Sequence, residues 1–312
     1  MSKIRVFAAA ALMLAGCSND ENSPQDNLKD TPITVTAGVA ELNTRAGYDN
    51  SNLPETFYIS IDQTGTNYDY TNVLMKNVNG TWKAYEDDGA TEKTLFWASG
   101  TETVSVTAAT FSLNGAQDLS VNDRQAWNDY VDESDHLYMA TVSGVEPSAE
   151  GISVTFSHIM SKVILTITLG DEFDETTNPI TYVYFQGTLA SRNYNASTSD
   201  WTNIADVTAT DIRSFKNSYK AIDIDNNITN ATAEYEVILV PQTVAANGFA
   251  VKIVMNDRFY VWTSSNAVTL ESGNKHTLAL TVGEDKVSGG TFSSTAWNTG
   301  EEDSNKLSGE TE

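Results

Sequence analysis

The chain has 312 residues, with 42 acidic against 18 basic side chains and a net charge of −24. A field of that sign repels nucleic acid and anionic lipid headgroups, and no nucleic-acid partner is expected. Hydrophobic residues make up 40 % and aromatics 10 %, too much for a disordered acidic chain, so the charge coats something folded.

Lys3 and Arg5 open the chain, an uncharged Ala-rich run follows over 6–14, and Leu14, Ala15, Gly16 and Cys17 close it. A membrane span needs about 20 apolar residues. This run is about half as long and reads as a secretory signal over 1–16. Small residues directly before a cysteine match the bacterial lipobox, making Cys17 the lipidated mature N-terminus. Cleavage there removes Lys3 and Arg5 and no acid, taking the charge from −24 to −26. Acyl chains on Cys17, at about 0.8 kcal/mol per buried methylene, are then the only membrane attachment. Cys17 is the sole cysteine, which excludes an intrachain disulfide and a thiolate metal cluster. Residues 17–31 are polar and acidic and form a flexible tether. An acidic stretch just after the lipid cysteine resembles the signal that carries some Gram-negative lipoproteins to the outer face.

From residue 33 onward the pattern is alternation. Ile33, Val35, Ala37 and Val39 alternate with smaller or polar residues and predict a first strand that faces a core. Further strands are predicted at 57–61, 103–107, 152–156, 162–169, 182–185, 235–240, 250–255, 258–262 and 276–282. Clusters of Gly, Asn, Asp and Ser separate them as turns. Short helices are predicted at 121–131 and 211–219. Residues 152–169 are too long for one strand, about 60 Å at 3.3 Å per residue. The chain therefore bends at Ser157 and His158, which sets a boundary between domains at 32–158 and 159–297. The expectation is two tandem all-β sandwiches, followed by a disordered acidic tail over 298–312.

Catalytic chemistry is poorly represented. His136, His158 and His276 lie at no metal-ligand spacing, and there is no serine elbow, phosphate loop or HExxH. Asp223, Asp225, Asn227 and Glu234 have the spacing of a calcium loop, but Ile228 stands where the required glycine belongs, so the run reads as an acidic turn. No enzyme activity, cofactor or metal is expected. Trp82, Trp97, Trp201, Trp262 and Trp297 read as core residues. Arg45 lies in the polar, Gly- and Asn-rich stretch 42–52, an exposed place where proteases cut.

Several segments together resemble the fimbrillin family of type V pilus subunits. They are 135–140 (Asp-His-Leu-Tyr-Met-Ala), the block from Val154 to Val163 with Phe156, His158 and Lys162, the run Leu239-Val240-Pro241-Gln242, and 270–278. Gly187, Tyr194, Trp201 and the stretch 297–300 fit as well. The resemblance implies two transthyretin-like sandwiches made as an outer-membrane lipoprotein precursor. It implies cleavage between Arg45 and Ala46 by an Arg-specific protease, with loss of the strand carrying Ile33, Val35, Ala37 and Val39. The implied partners are other fimbrial subunits, each filling its neighbour's gap by donor-strand exchange, and a host or bacterial surface ligand. The location is then the cell surface, in the fimbrium after processing. Phe156, His158 and Lys162 are structural, His158 as a buried hydrogen-bonding residue at the bend. Residues 289–297 are weakly apolar for a donor strand, which leaves stalk and tip roles both open. The competing reading is a static surface lipoprotein that binds glycan through Tyr68, Tyr70, Trp82 and Tyr85.

Overall fold

The computed structural model describes residues 28–40, 47–173, 176–226 and 228–297. The signal run, Cys17, Arg45, Ala46 and the tail lie outside them. In the first half the strands are β1 (Val35–Val39), β2 (Thr56–Asp62), β3 (Tyr70–Val78), β4 (Thr81–Tyr85), β5 (Glu92–Lys93), β6 (Val104–Ala109) and β7 (Ala116–Ser120). A one-turn helix, α1 (Asn128–Asp132), precedes β8 (Leu137–Val145), β9 (Ile152–His158) and β10 (Ser161–Leu169). The second half adds β11 (Ile180–Leu189), β12 (Ser191–Asn195), β13 (Asp200–Thr202), β14 (Ala209–Arg213), β15 (Phe215–Lys220), β16 (Thr232–Leu239), β17 (Gln242–Val244) and β18 (Ala250–Met255). It closes with β19 (Arg258–Thr263), β20 (Val268–Leu270), β21 (Asn274–Val282) and β22 (Val287–Ala296). The protein is all-β and built of sandwiches.

An eight-stranded sheet, in the order β1-β9-β8-β6-β2-β3-β4-β5, wraps one core. Period-two alternation supplies that core, with Phe57, Ile59 and Ile61 from β2, Val104 and Val106 from β6, and Val154 and Phe156 from β9. The second core lies between the sheets β15-β16-β10-β21-β22 and β14-β11-β18-β19. At its centre β10 buries Val163, Leu165, Ile167 and Leu169, running antiparallel to β16 and parallel to β21. The long apolar stretch breaks between β9 and β10, at Ile159 and Met160. The halves also share structure: β7 pairs with β12, and Val121 and Val131 pack into the second core.

Two expected helices differ from the observed elements. Residues 211–219 form parts of β14 and β15, which belong to different sheets. Ser214 makes the crossing, donating through both its N–H and Oγ to the Val183 carbonyl. The spacing of Ile212, Phe215 and Tyr219 resembles a helix because the strand changes sheets midway. Of 121–131 only the end is helical. The preceding residues 123–125 pair with β14 at Arg213, and the Gln125 side chain reaches β16, donating to the Ile238 carbonyl at 2.7 Å and accepting from its N–H at 2.8 Å.

Candidate functional site

The N-terminal segment fastens both ends of the eight-stranded sheet. Its first part pairs antiparallel with the chain just after β5: Asp30 N–H donates to Trp97 O, Trp97 N–H to Thr31 O and Ile33 N–H to Leu95 O, at 2.8–3.1 Å. Its second part, β1, runs parallel to β9 with Val35 opposite Ile152 and Val39 opposite Phe156. Ile33, Val35 and Val39 are buried in the first core, and Ala37 is partly buried against it. Below them Phe156 meets Phe57 edge to face, and Phe57 meets Trp82 likewise.

Three residues with no such role assigned from the sequence hold this segment and the chain that follows it. Gly151, at φ +82°, lets the turn before β9 reach β1, where a Cβ would stand 2.1 Å from the Thr34 carbonyl oxygen. Ile152 N–H donates to that oxygen at 2.8 Å. Asn50 grips the strand's end, accepting from Val39 N–H and donating to Val39 O, both at 2.9 Å. Asp135 accepts from Tyr48 N–H at 2.9 Å, and Gly47 leaves no room for a Cβ beside its carboxylate. A lone Asn, Asp or Gly in a turn-rich chain carries no signal for these long-range roles. Only Asp135 lay inside a motif already marked.

The chain re-enters at Gly47 beside an acidic cleft of about 570 Å³ walled by Glu55, Asp132, Glu133 and Asp135. Burial, reinforced by those carboxylates, pushes the Tyr48 hydroxyl up to about 12. Arg45 and Ala46, the expected cleavage pair, lie outside the described residues.

Behind the cleft sits the buried signature cluster. His158 Nδ1 lies 2.9 Å from Asp135 Oδ1, with both side chains fully buried, and its ring stacks on Trp297 at 3.9 Å. Lys162, also buried, pairs with Glu236 at 2.8 Å and sits 5.5 Å from the Trp297 ring. Asn217 Nδ2 donates to Glu236 at 2.6 Å. Such a cluster joins β9, β10, β16 and the chain after β22. It holds charge without presenting a reactive group to solvent. Among the described residues no three His, Cys, Asp or Glu side chains gather as a metal site, and no helix is long and apolar enough to cross a membrane. The acidic turn is a short hairpin in which Asp223 accepts from Asn226, and Asn227 lies outside the described residues.

The aromatic set suggested for glycan does not form a platform. Tyr70 and Trp82 are buried, because the alternation of β3 and β4 turns them inward. Trp97, Trp262 and Trp297 are core residues and Trp201 is half-buried, whereas Trp127 is 57 % exposed.

A profile described as fimbrillin-like matches residues 44–297. The chain belongs to the fimbrillin-like family. Family membership makes it a fimbrial type of protein of the cell surface. Its fold is shared with a proposed cell adhesion protein from Bacteroides ovatus, at 17 % identity and a TM-score of 0.62, covering 85 % of this chain and 96 % of that one. A proposed cell adhesion protein from Bacteroides uniformis gives 16 % identity and 0.60, covering 86 % and 99 %. A fimbrial protein from Bacteroides vulgatus gives 16 % and 0.50, covering 85 % and 99 %. At these identities the likeness extends to the fold alone. No curated protein matches the chain.

Proposed function

We propose that this fimbrillin-like chain is a pilus subunit or tip adhesin, exported as a lipoprotein precursor anchored through Cys17. Cleavage between Arg45 and Ala46 frees the N-terminal segment, and a neighbouring subunit supplies a strand in its place. The observation that carries the reading is the double fastening of residues 30–40, whose backbone bonds run to 95–97 on one side and to β9 on the other. Removing a segment in that position exposes unpaired N–H and C=O groups on both sides and opens the slots of Ile33, Val35 and Val39. A donor strand of matching alternation restores ladder and burial together, which is β-augmentation. Repeated head to tail, the contact does not close and yields a filament.

The test uses the full precursor with Cys17→Ala, treated with an Arg-specific protease. The expected product begins at Ala46 and gives a ladder of oligomers on an unboiled denaturing gel. A cut that leaves only monomers identifies a tip subunit that accepts a strand and donates none. Resistance of the folded protein at Arg45 refutes the mechanism.

A further inference from the structure

The outer face of the sheet β14-β11-β18-β19 carries an arrangement that strand exchange does not use. Registers place its outward residues in rows across the strands. One row runs Tyr182, Val254, Phe259, and the next runs Arg213, Tyr184, Lys252, Val261. The alternate residues Val183, Phe185, Val251, Ile253, Tyr260 and Trp262 point into the core. Phe259 is 70 % exposed, and Tyr182 and Val261 are exposed as well. An exposed face this apolar is a binding surface more often than a chance of composition.

Its cations are set among the rings. The Arg213 guanidinium lies 4.2 Å from the Tyr182 ring centroid and 5.8 Å from that of Trp127, and Lys252 Nζ lies 5.4 Å from that of Phe259. Trp127 continues the surface beyond β14, edge to face with the exposed Tyr130. The backbones of Arg124 and Arg213 pair in a parallel bridge at the same margin. Among the described residues neither Arg213 nor Lys252 forms a salt bridge, although the chain carries 42 acids. Asp211 is exposed on the face itself, two residues along β14 from Arg213, and Asp257 and Asp285 lie at its margins. Asp211 accepts from Gln186, Asp285 pairs with Arg258, and Asp257 stands in the turn before β19. A basic aromatic strip therefore interrupts an acidic surface.

We infer that this face binds an anionic glycan chain. The exposed rings of Trp127, Tyr182 and Phe259 stack on the C–H faces of sugar rings. Arg213 and Lys252, which form no salt bridge among the described residues, meet the carboxylate or sulfate groups. The strip lies on an open, pleated sheet face, which suits an extended polymer rather than a compact small molecule. Salt screens the −24 net charge beyond a Debye length of about 8–10 Å, so the cations within the strip decide the local contact. They select an anionic chain over a neutral one, because burying two cations against uncharged sugar leaves them uncompensated.

The test is affinity electrophoresis of the intact precursor in gels containing heparin, polygalacturonate or dextran. Cleavage at Arg45 plays no part in it, so the result is independent of strand exchange. Retardation by heparin or polygalacturonate, and not by dextran, is expected. Heparin alone assigns sulfate recognition, and polygalacturonate assigns carboxylate. Arg213→Gln should weaken binding roughly tenfold, about 1.4 kcal/mol. Trp127→Ala with Phe259→Ala should abolish it, with an unchanged melting curve because both side chains are exposed. Absence of retardation in both polyanion gels overturns the inference, as does retardation indifferent to these variants. Concentration-dependent dimerisation in sedimentation, lost in the same variants, also overturns it and makes the face a protein interface.

Discussion

Stripping the N-terminal segment from the cleaved protein should remove most of the stability of the first core. Ile33, Val35 and Val39 are each at most 8 % exposed. Each contributes about 1.5–3 kcal/mol of burial, so their loss together costs about 5–9 kcal/mol. The backbone bonds to 95–97 and β9 add about 0.5–1.5 kcal/mol apiece. A domain's whole stability is about 5–15 kcal/mol, so an emptied slot leaves the first core at the edge of unfolding. The assay is urea unfolding of the chain beginning at Ala46, freed of the cleaved segment by mild denaturant and gel filtration. With a slope of about 1–3 kcal/mol per molar urea, a loss near 5 kcal/mol lowers the midpoint by roughly 2–5 M. A synthetic peptide of residues 28–40 should restore the midpoint. The same peptide with Val35→Asp should fail, because it brings an unpaired carboxylate into the core. If the stripped protein keeps its midpoint to within about 0.5 M, the strand is not holding the core and the exchange argument fails.

Two further predictions concern the second sandwich. His276 is buried, and its Nε2 accepts from Glu271 N–H at 3.3 Å, so the ring is held neutral, and burial lowers its pKa from 6.5 to about 4. The unfolded chain therefore binds this proton first, and stability falls as pH drops from about 6.5 toward 4, by about 1.4 kcal/mol at pH 5.5 and about 2.5 kcal/mol at pH 4.5. His276→Leu should flatten that part of the stability–pH profile measured by urea unfolding; an unchanged slope would place the titration elsewhere. Lys162→Met strands Glu236 in the core and should cost about 3–5 kcal/mol, whereas Lys162→Met with Glu236→Leu should recover most of it. Equal destabilisation by the single and double variants would show that packing, not the buried charge, dominates.

Alternation made the strands legible in the sequence, because a period of two fixes which side chains face a core whatever the strand's neighbours are. Ile33, Val35, Val39 and β10 could be read that way, whereas the bend expected at Ser157 and His158 falls two residues later, at Ile159 and Met160. Ordered motifs spread along the chain carried the family resemblance. Periodicity does not name a strand's partner. That β1 lies parallel to β9, more than a hundred residues away, while residues 31–33 reach 95–97, follows from how the whole sheet closes. The same holds for Asp135, His158 and Trp297, three distant residues joined only when β9 and the chain after β22 converge. It also holds for Trp82 and Trp127, alike as residues but opposite in burial. Local spacing misread 211–219, because a strand that changes sheets at Ser214 shifts its inward face and imitates a helix. Sequence determined the strands that alternate cleanly and their apolar faces through short-range sterics and burial. Tertiary structure decided the pairings, the buried charge cluster and the exposed aromatic strip, because each depends on contacts between residues far apart in the chain.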